Sequence, residues 1–299
     1  MGRHRGRKHE ASNSGVWEPV VTHQGGPSIA SGEPYTAEAE RTMTANRWIP
    51  WAFRIGSVGV VLLIWELYGR AQETTLFFVP VSSVIAALWE QVQTAEFWDA
   101  FRQTFIPFIW GWTLSLAVGI VVGLLIGRFS TFDALTKPYV TFLNALPVST
   151  LVPIAVILFG IGYASRILVV FLFGVVEVTL NTAAGVRYVN KDLVEMGESF
   201  NASETRLFRK VILPASLPGI MAGVRIGTGR AVVGMVVVEI LLVAVGMGRL
   251  ILRYRGRFQS ADLFAVVLAL IIFGILLQVL ARQVERRVSK WKYEMEQIA

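Results

Sequence analysis

Cysteine is missing altogether and histidine nearly so: the chain has no Cys and three His, at His4, His9 and His23. The first absence excludes disulfides, thiolate chemistry and cysteine metal sites. The second leaves no imidazole beyond the N-terminal tail for proton relay, metal ligation or acid–base work. No Gly-x-x-x-x-Gly-Lys-Ser/Thr occurs and there is no Gly-Lys pair anywhere, so the chain cannot cradle nucleotide phosphates by that loop. Gly-x-Ser-x-Gly is also absent, which removes one route to an intramembrane hydrolase. Charge is scarce too. Asp, Glu, Lys and Arg make up 16% of residues, against about a quarter in soluble domains.

What fills the chain is apolar, 54% of all residues. The apolar residues gather into runs of roughly 18 to 27 residues, long enough to cross a bilayer as helices. The expected fold class is therefore all-α, a polytopic membrane protein with six transmembrane helices. The spans fall at about 51–68, 105–126, 146–159 (starting as early as Val140), 167–184, 220–245 and 263–280. Val79 to Gln93 is too short and polar to span. Its apolar positions recur at helical spacing after Pro80, as in a helix lying in the interface. Arg128 to Lys137 reads as a polar loop. The third span contains Pro147 and Pro153, which free backbone carbonyls that lipid would penalise, so that segment should face protein or a pore. Gly119 and Gly123 form a Gly-x-x-x-Gly pair that permits close helix contact without naming a partner.

Three domains are expected: a disordered cytoplasmic tail over 1–47, a transmembrane domain over 48–282, and a cytoplasmic tail over 283–299. The N-terminal segment is rich in Gly, Ser, Glu and Arg and poor in apolar residues, and its first apolar run starts too late for a secretory signal. The net charge of +7 reads as a positive-inside excess, not as a nucleic-acid footprint. With six spans, eighteen Lys and Arg fall on one side and seven on the other, which puts both termini in the cytoplasm of a cell (plasma or inner) membrane protein. Arg249, Arg253, Arg255 and Arg257 run against that bias. They suit an acidic rim on an extracytoplasmic binding protein, an anionic solute or membrane-lipid phosphates.

Ionisable residues within spans are costly and face cavities or one another. Glu177 lies mid-way along the fourth span, with Arg225, Arg230 and Glu239 on the fifth. Arg230 and Glu239 sit about 14 Å apart along a helix, on opposed flanks, so Glu177 is the better partner for Arg230. These groups are either path-lining residues or inter-helix ion pairs.

One charged island, at about 187–215, must face water. Val189, Leu193, Met196 and Phe200 make one apolar stripe, expected to pack on the spans. Asn201 tolerates a left-handed turn. Ser203 is a good N-cap with Glu204 in the first turn, Leu207, Phe208, Val211 and Ile212 form a second stripe, and Pro214 is expected to end the helix.

The island resembles the EAA loop of ABC-importer permeases. Glu195 takes the Glu, Met196-Gly197 stand for Ala-Ala, Asn201 stands for the Gly, and Val211-Ile212-Leu213-Pro214 fills the Ile-x-Leu-Pro end. Asn144-Ala145-Leu146-Pro147, Leu151-Val152-Pro153, Gly223-Val224-Arg225-Ile226-Gly227 and Val237-Val238-Glu239 are similar to the nitrate/sulfonate/taurine branch. The resemblance spans about residues 75 to 295. It implies a type I importer permease that is not an enzyme, coupled to an ABC ATPase subunit dimer through Glu195, Gly197, Ser199, Asn201, Ala202, Ser203, Leu213 and Pro214. It further implies an extracytoplasmic substrate-binding protein, a second permease copy as homodimer, and ATP-Mg held by the ATPase, with no cofactor or metal here. Pro147, Pro153, Glu177, Arg225, Arg230 and Glu239 are the candidates for the translocation path or gate, and a small anionic solute (sulfonate, taurine or nitrate-like) is the implied cargo. The rival reading is an ion-gradient-driven secondary transporter using Glu177 and Glu239.

Overall fold

The computed structural model describes residues 49–71, 78–241 and 245–288, and every assigned element among them is helical. The expected tail over 1–47 and the end of the chain beyond Val288 lie outside the described residues. The chain divides into two compact units, 1–58 and 59–299. Helix α1 (Ile49–Ala71) runs through that boundary, so the described part of the first unit is the start of α1, and all else belongs to the second.

In chain order there follow α2 (Val81–Gln91), α3 (Ala95–Arg128), α4 (Ser130–Ala145), a 3₁₀ turn (Val148–Thr150) and α5 (Leu151–Phe159). Then come α6 (Tyr163–Arg187), α7 (Lys191–Ser199), α8 (Glu204–Leu207), a π turn (Phe208–Ile212), α9 (Leu213–Leu241), α10 (Gly246–Gly256) and α11 (Ser260–Val288). Helices α3, α6 and α11 are each long and apolar enough to cross a membrane, and two bent pairs pass together, giving up to five spans. Helix α1, the expected first span, is a helix of 23 residues.

Helix α6 is the centre of the second unit, and small residues decide what it touches. Gly111, Gly119, Gly123 and Gly127 of α3 face Val170, Val178, Thr182 and Val186 of α6. A Cβ built on each would lie 2.8, 2.7, 2.6 and 2.5 Å from the partner's Cβ. Ser115 and Gly174 make the intervening rung with the small residue on the other helix. Partners increase together along both chains, so the helices run parallel, each rung one helical turn from the next. The other face of α6 meets α9 in antiparallel sense. Gly185 and Gly219 approach so closely that a Cβ on Gly219 would lie 2.4 Å from the Gly185 Cα. Trp112 Nε1 donates to Thr228 Oγ1 at 2.9 Å, joining α3 directly to α9. Helix α2 follows Pro80 as its spacing predicts and packs through Val84 and Ala87 on Ala265 of α11.

Three expectations change. The segment Arg128–Lys137 is not a loop: Ser130 to Ala145 is helical. The third span is a bent pair, α4 and the Val148–Phe159 stretch meeting at 84°. Pro147 sets the bend, because the residue before proline is pushed out of the helical region, and Leu146 has φ −74° and ψ 134°. Pro153 causes no break. It is the third residue of α5, in the first turn, where no amide partner is lost. Finally, Pro214 does not end a helix but stands second in α9. The wider π turn just before it accommodates a ring that would clash with the carbonyl four residues back, so Glu204–Leu241 runs through as one bent-pair member.

Candidate coupling hairpin and translocation pocket

The charged island forms a helical hairpin. Asn190 caps α7, its Oδ1 accepting from the Asp192 amide at 2.9 Å. The helix stops in a tight turn where the Asn201 amide donates to the Glu198 carbonyl (2.8 Å) and the Ala202 amide to the Gly197 carbonyl (3.2 Å). Asn201 has φ 54°, the left-handed conformation expected of it. Ser199 Oγ donates back to the Glu195 carbonyl at 2.9 Å. Ser203 stands at the N-cap of α8 with extended ψ of 152°, but its hydroxyl makes no capping bond.

Leu207 and Ile212 bury themselves with Val186, packed by Leu124, Val189, Val194, Phe208 and Val211. Gly197 provides the room: a Cβ there would lie 2.5 Å from Leu207 Cδ1. The expected packing of the α7 stripe is not what forms. Val189 reaches the core, but Leu193, Met196 and Phe200 are 41%, 52% and 80% exposed. Val194 takes the inward place instead, one position round the helix, which leaves an apolar stripe facing out. Two ion pairs tie the hairpin region to the helices around it: Arg128 to Glu204 at 3.4 Å and Arg187 to Asp133 at 2.6 Å. Leu213 is half-buried at the start of α9, and Pro214 is exposed beside it.

The charges within the spans separate into three places. Arg230 Nε lies 3.2 Å from Glu177 Oε1. This pair, with Asn144, Pro147, Ser149 and Phe173, lines a pocket of about 340 Å³ between the α4–α5 bend, α6 and α9. Pro153 is exposed and does not line it. Arg225 is elsewhere, 3.2 Å from Glu285 of α11.

Glu239 belongs to a closed cluster that the sequence reading missed. Its carboxylate accepts from Thr104 Oγ1 (2.9 Å) and the Gly248 amide (3.0 Å), and lies 3.7 Å from Arg166. Thr104 Oγ1 in turn accepts from the Met247 amide at 2.9 Å. Arg166 donates to the Gln103 and Gly162 carbonyls at 2.7 and 3.1 Å and lies over the Tyr163 ring. Both side chains are under 5% exposed. In sequence Arg166 reads as a turn residue between spans, so nothing local flags it. Of the four arginines at 249, 253, 255 and 257, Arg249 and Arg253 flank Glu96 of α3, while Arg255 and Arg257 are exposed. No group of three or more potential metal ligands occurs among the described residues.

Residues 115–290 match the model of the binding-protein-dependent transport system inner membrane component. The chain belongs to this family. It is accordingly a multi-pass membrane transport subunit, the permease of an ABC importer, and not an enzyme. Family membership implies an ATPase and a substrate-binding protein as partners. Among relatives, SsuC of Bacillus subtilis strain 168, named as an aliphatic sulfonates transport permease, is 26% identical over 87% of this chain and 95% of its own. TauC of Escherichia coli K12, a taurine transport system permease, is 28% identical over 81% and 90%. A chain of the MetNI methionine ABC transporter in inward-facing form superposes with a TM-score of 0.52 at 18% identity, covering 68% of this chain and 98% of that one. At that identity the likeness speaks for the fold alone.

Proposed function

We propose that this permease forms the translocation path for a small organic solute bearing an anionic group, sulfonate-, taurine- or nitrate-like, and is driven by a separate ABC ATPase dimer that holds ATP-Mg. Two copies would assemble as a homodimer, with both termini in the cytoplasm and the solute delivered by an extracytoplasmic binding protein. No cofactor or metal is assigned to this chain.

The observation that carries this reading is the outward apolar stripe of the hairpin. An apolar surface beside charged residues, on a segment that must face water, is an interaction site by its physics. Its second arm runs without a break into α9, so force on the hairpin would reach the helix that carries Arg230. Glu195, Gly197, Ser199, Asn201, Ala202 and Ser203 shape the turn, and Leu213 and Pro214 form the joint with α9. In the pocket, Pro147, Glu177 and Arg230 are placed to meet cargo. Arg225, paired with Glu285, and Glu239, beside Arg166, would instead hold helices together, while Pro153 lies exposed outside the pocket.

The test is co-purification with the ATPase subunit from a strain expressing both. Intact permease should retain the ATPase. Phe200→Asp, with Met196→Asp as a second variant, should lose it at least tenfold while eluting and melting like the parent. Full retention by both variants would remove the coupling role from the hairpin.

A further inference from the structure

At the C-terminal end of α3, where the hairpin meets the spans, a groove of about 370 Å³ lies between α3 and the hairpin's second arm. Its lining is apolar, with Val121, Leu125 and Phe208 among it, except for Arg128, Glu204 and Thr205. Arg128 and Glu204 meet there at 3.4 Å but are unequally placed: the Arg128 side chain is 30% exposed and that of Glu204 86%. So exposed a carboxylate gives up its partner at little cost, because water replaces it. Arg128 is the fixed member. It stands in the last turn of α3, where the helix dipole favours a cation, and its guanidinium lies 5.5 Å from the centre of the Phe129 ring. The arm from Glu204 to Ile212 adds Arg206, Arg209 and Lys210, all exposed, so this end of the groove is positive. Away from Arg128 the groove opens onto an apolar line of α3. Val121, Leu114 and Trp110 are exposed there at the spacing of one helix face.

We propose that this groove seats an anionic phospholipid, its phosphate on Arg128 and one acyl chain against Val121 and Leu125, continuing along Leu114 and Trp110. A cation at the head of an apolar line is the complement of a phosphate joined to a tail. The guanidinium fork matches phosphate oxygens, and basic side chains at a span end attract anionic lipid. The incoming phosphate displaces Glu204 into water and leaves Arg128 with a counter-charge. A zwitterionic lipid brings the same phosphate with an ammonium that the basic arm repels. A soluble phosphate ester lacks the tail that the apolar lining would bury. The lipid touches α3 and the hairpin arm together and so ties the arm to the span. The site shares no lining residue with the Glu177–Arg230 pocket, so the inference is independent of the solute carried.

The test is native mass spectrometry of the full-length permease released from nanodiscs of equal parts phosphatidylglycerol and phosphatidylcholine. Retained lipid should be enriched in phosphatidylglycerol by about fivefold, the worth of one basic residue beside an anionic headgroup. Arg128→Gln should abolish the enrichment and Arg128→Lys should keep most of it. Glu204→Gln, which removes the competing carboxylate, should raise it, a gain that misfolding does not produce. Thr205→Trp fills the groove without changing its charge and should expel the lipid. Equal retention of the two lipids, or enrichment indifferent to Arg128→Gln, overturns the proposal. So does displacement of the lipid by glycerol phosphate, which assigns the groove to a soluble ester. Thr205→Trp that leaves lipid in place but separates two permease copies also overturns it, because the groove then belongs to the second copy.

Discussion

Asn201 and Gly219 hold two different kinds of single-residue constraint. Asn201 sits at φ 54°, where a side chain branched at Cβ is strained and Asn or Gly is not. Asn201→Val should cost about 1–2 kcal/mol of local hairpin stability, and Asn201→Gly should be close to neutral. Amide hydrogen exchange across 191–207 checks this, with faster exchange expected in the valine variant only. Gly219 has ordinary backbone geometry, and its constraint is space. A Cβ there would lie 2.4 Å from Gly185 Cα, and no flexible side chain can yield. Gly219→Ala should therefore destabilise the protein by about 1–3 kcal/mol, as overpacking does, read as a lower unfolding midpoint in detergent. The hairpin turn was legible from residues alone, since it needs only a left-handed residue between two amphipathic stripes. The Gly185–Gly219 contact was not, because neither glycine announces which helix lies against it.

Elements in this protein are joined end to end where the sequence suggested gaps. The Ser130–Ala145 helix looked like a loop because Arg128, Asp133 and Lys137 are polar. Asp133 and Lys137 stand one turn apart on that helix, Asp133 pairing with Arg187 of α6, while Arg128 ends α3. The joint between α9 and α10 is held differently, by a carboxylate. Glu239, near the end of α9, accepts from the Gly248 amide in the first turn of α10, an anion placed at a helix N-terminus. Removing it would leave Arg166 buried without its counter-charge. Glu239→Ala should thus cost about 3–5 kcal/mol, whereas Glu239→Gln, which keeps an amide oxygen for Gly248 and Thr104, should cost less. Thermal unfolding of both variants measures the difference. If alanine is tolerated as well as glutamine, the cluster does not hold this joint. Sequence spacing correctly separated Arg230 from Glu239 and set Glu177 beside Arg230. It could not find Arg166 or Thr104, because both come from other helices.

For the whole molecule, the arrangement follows from packing on α6. One face takes α3 in parallel and the other takes α9 in antiparallel sense, both through small residues. This leaves the apolar faces of α3 and α11 partly exposed: Ile106, Trp110, Leu114 and Val121 on α3, and Ile271, Ile272, Ile275 and Leu276 on α11. Surfaces of that kind belong against lipid or a second copy. Native mass spectrometry from detergent should find two permease copies per assembly, and a cytoplasm-active reporter at the C-terminus should be active. A single copy with a bound ATPase would refute the homodimer, and an inactive reporter would reverse the orientation.

By itself, the sequence determined that this chain is helical and membrane-spanning, that a hairpin leaves the membrane between α6 and α9, and that it resembles an importer permease. Those properties are written in runs, periods and local turn chemistry, each within some tens of residues. Tertiary structure alone decided which glycines meet which helix, which stripe of the hairpin faces out, and that Glu239 pairs with Arg166. Those outcomes depend on residues far apart in the chain meeting at distances of a few ångströms, where one methyl group or one unpaired charge outweighs any local preference.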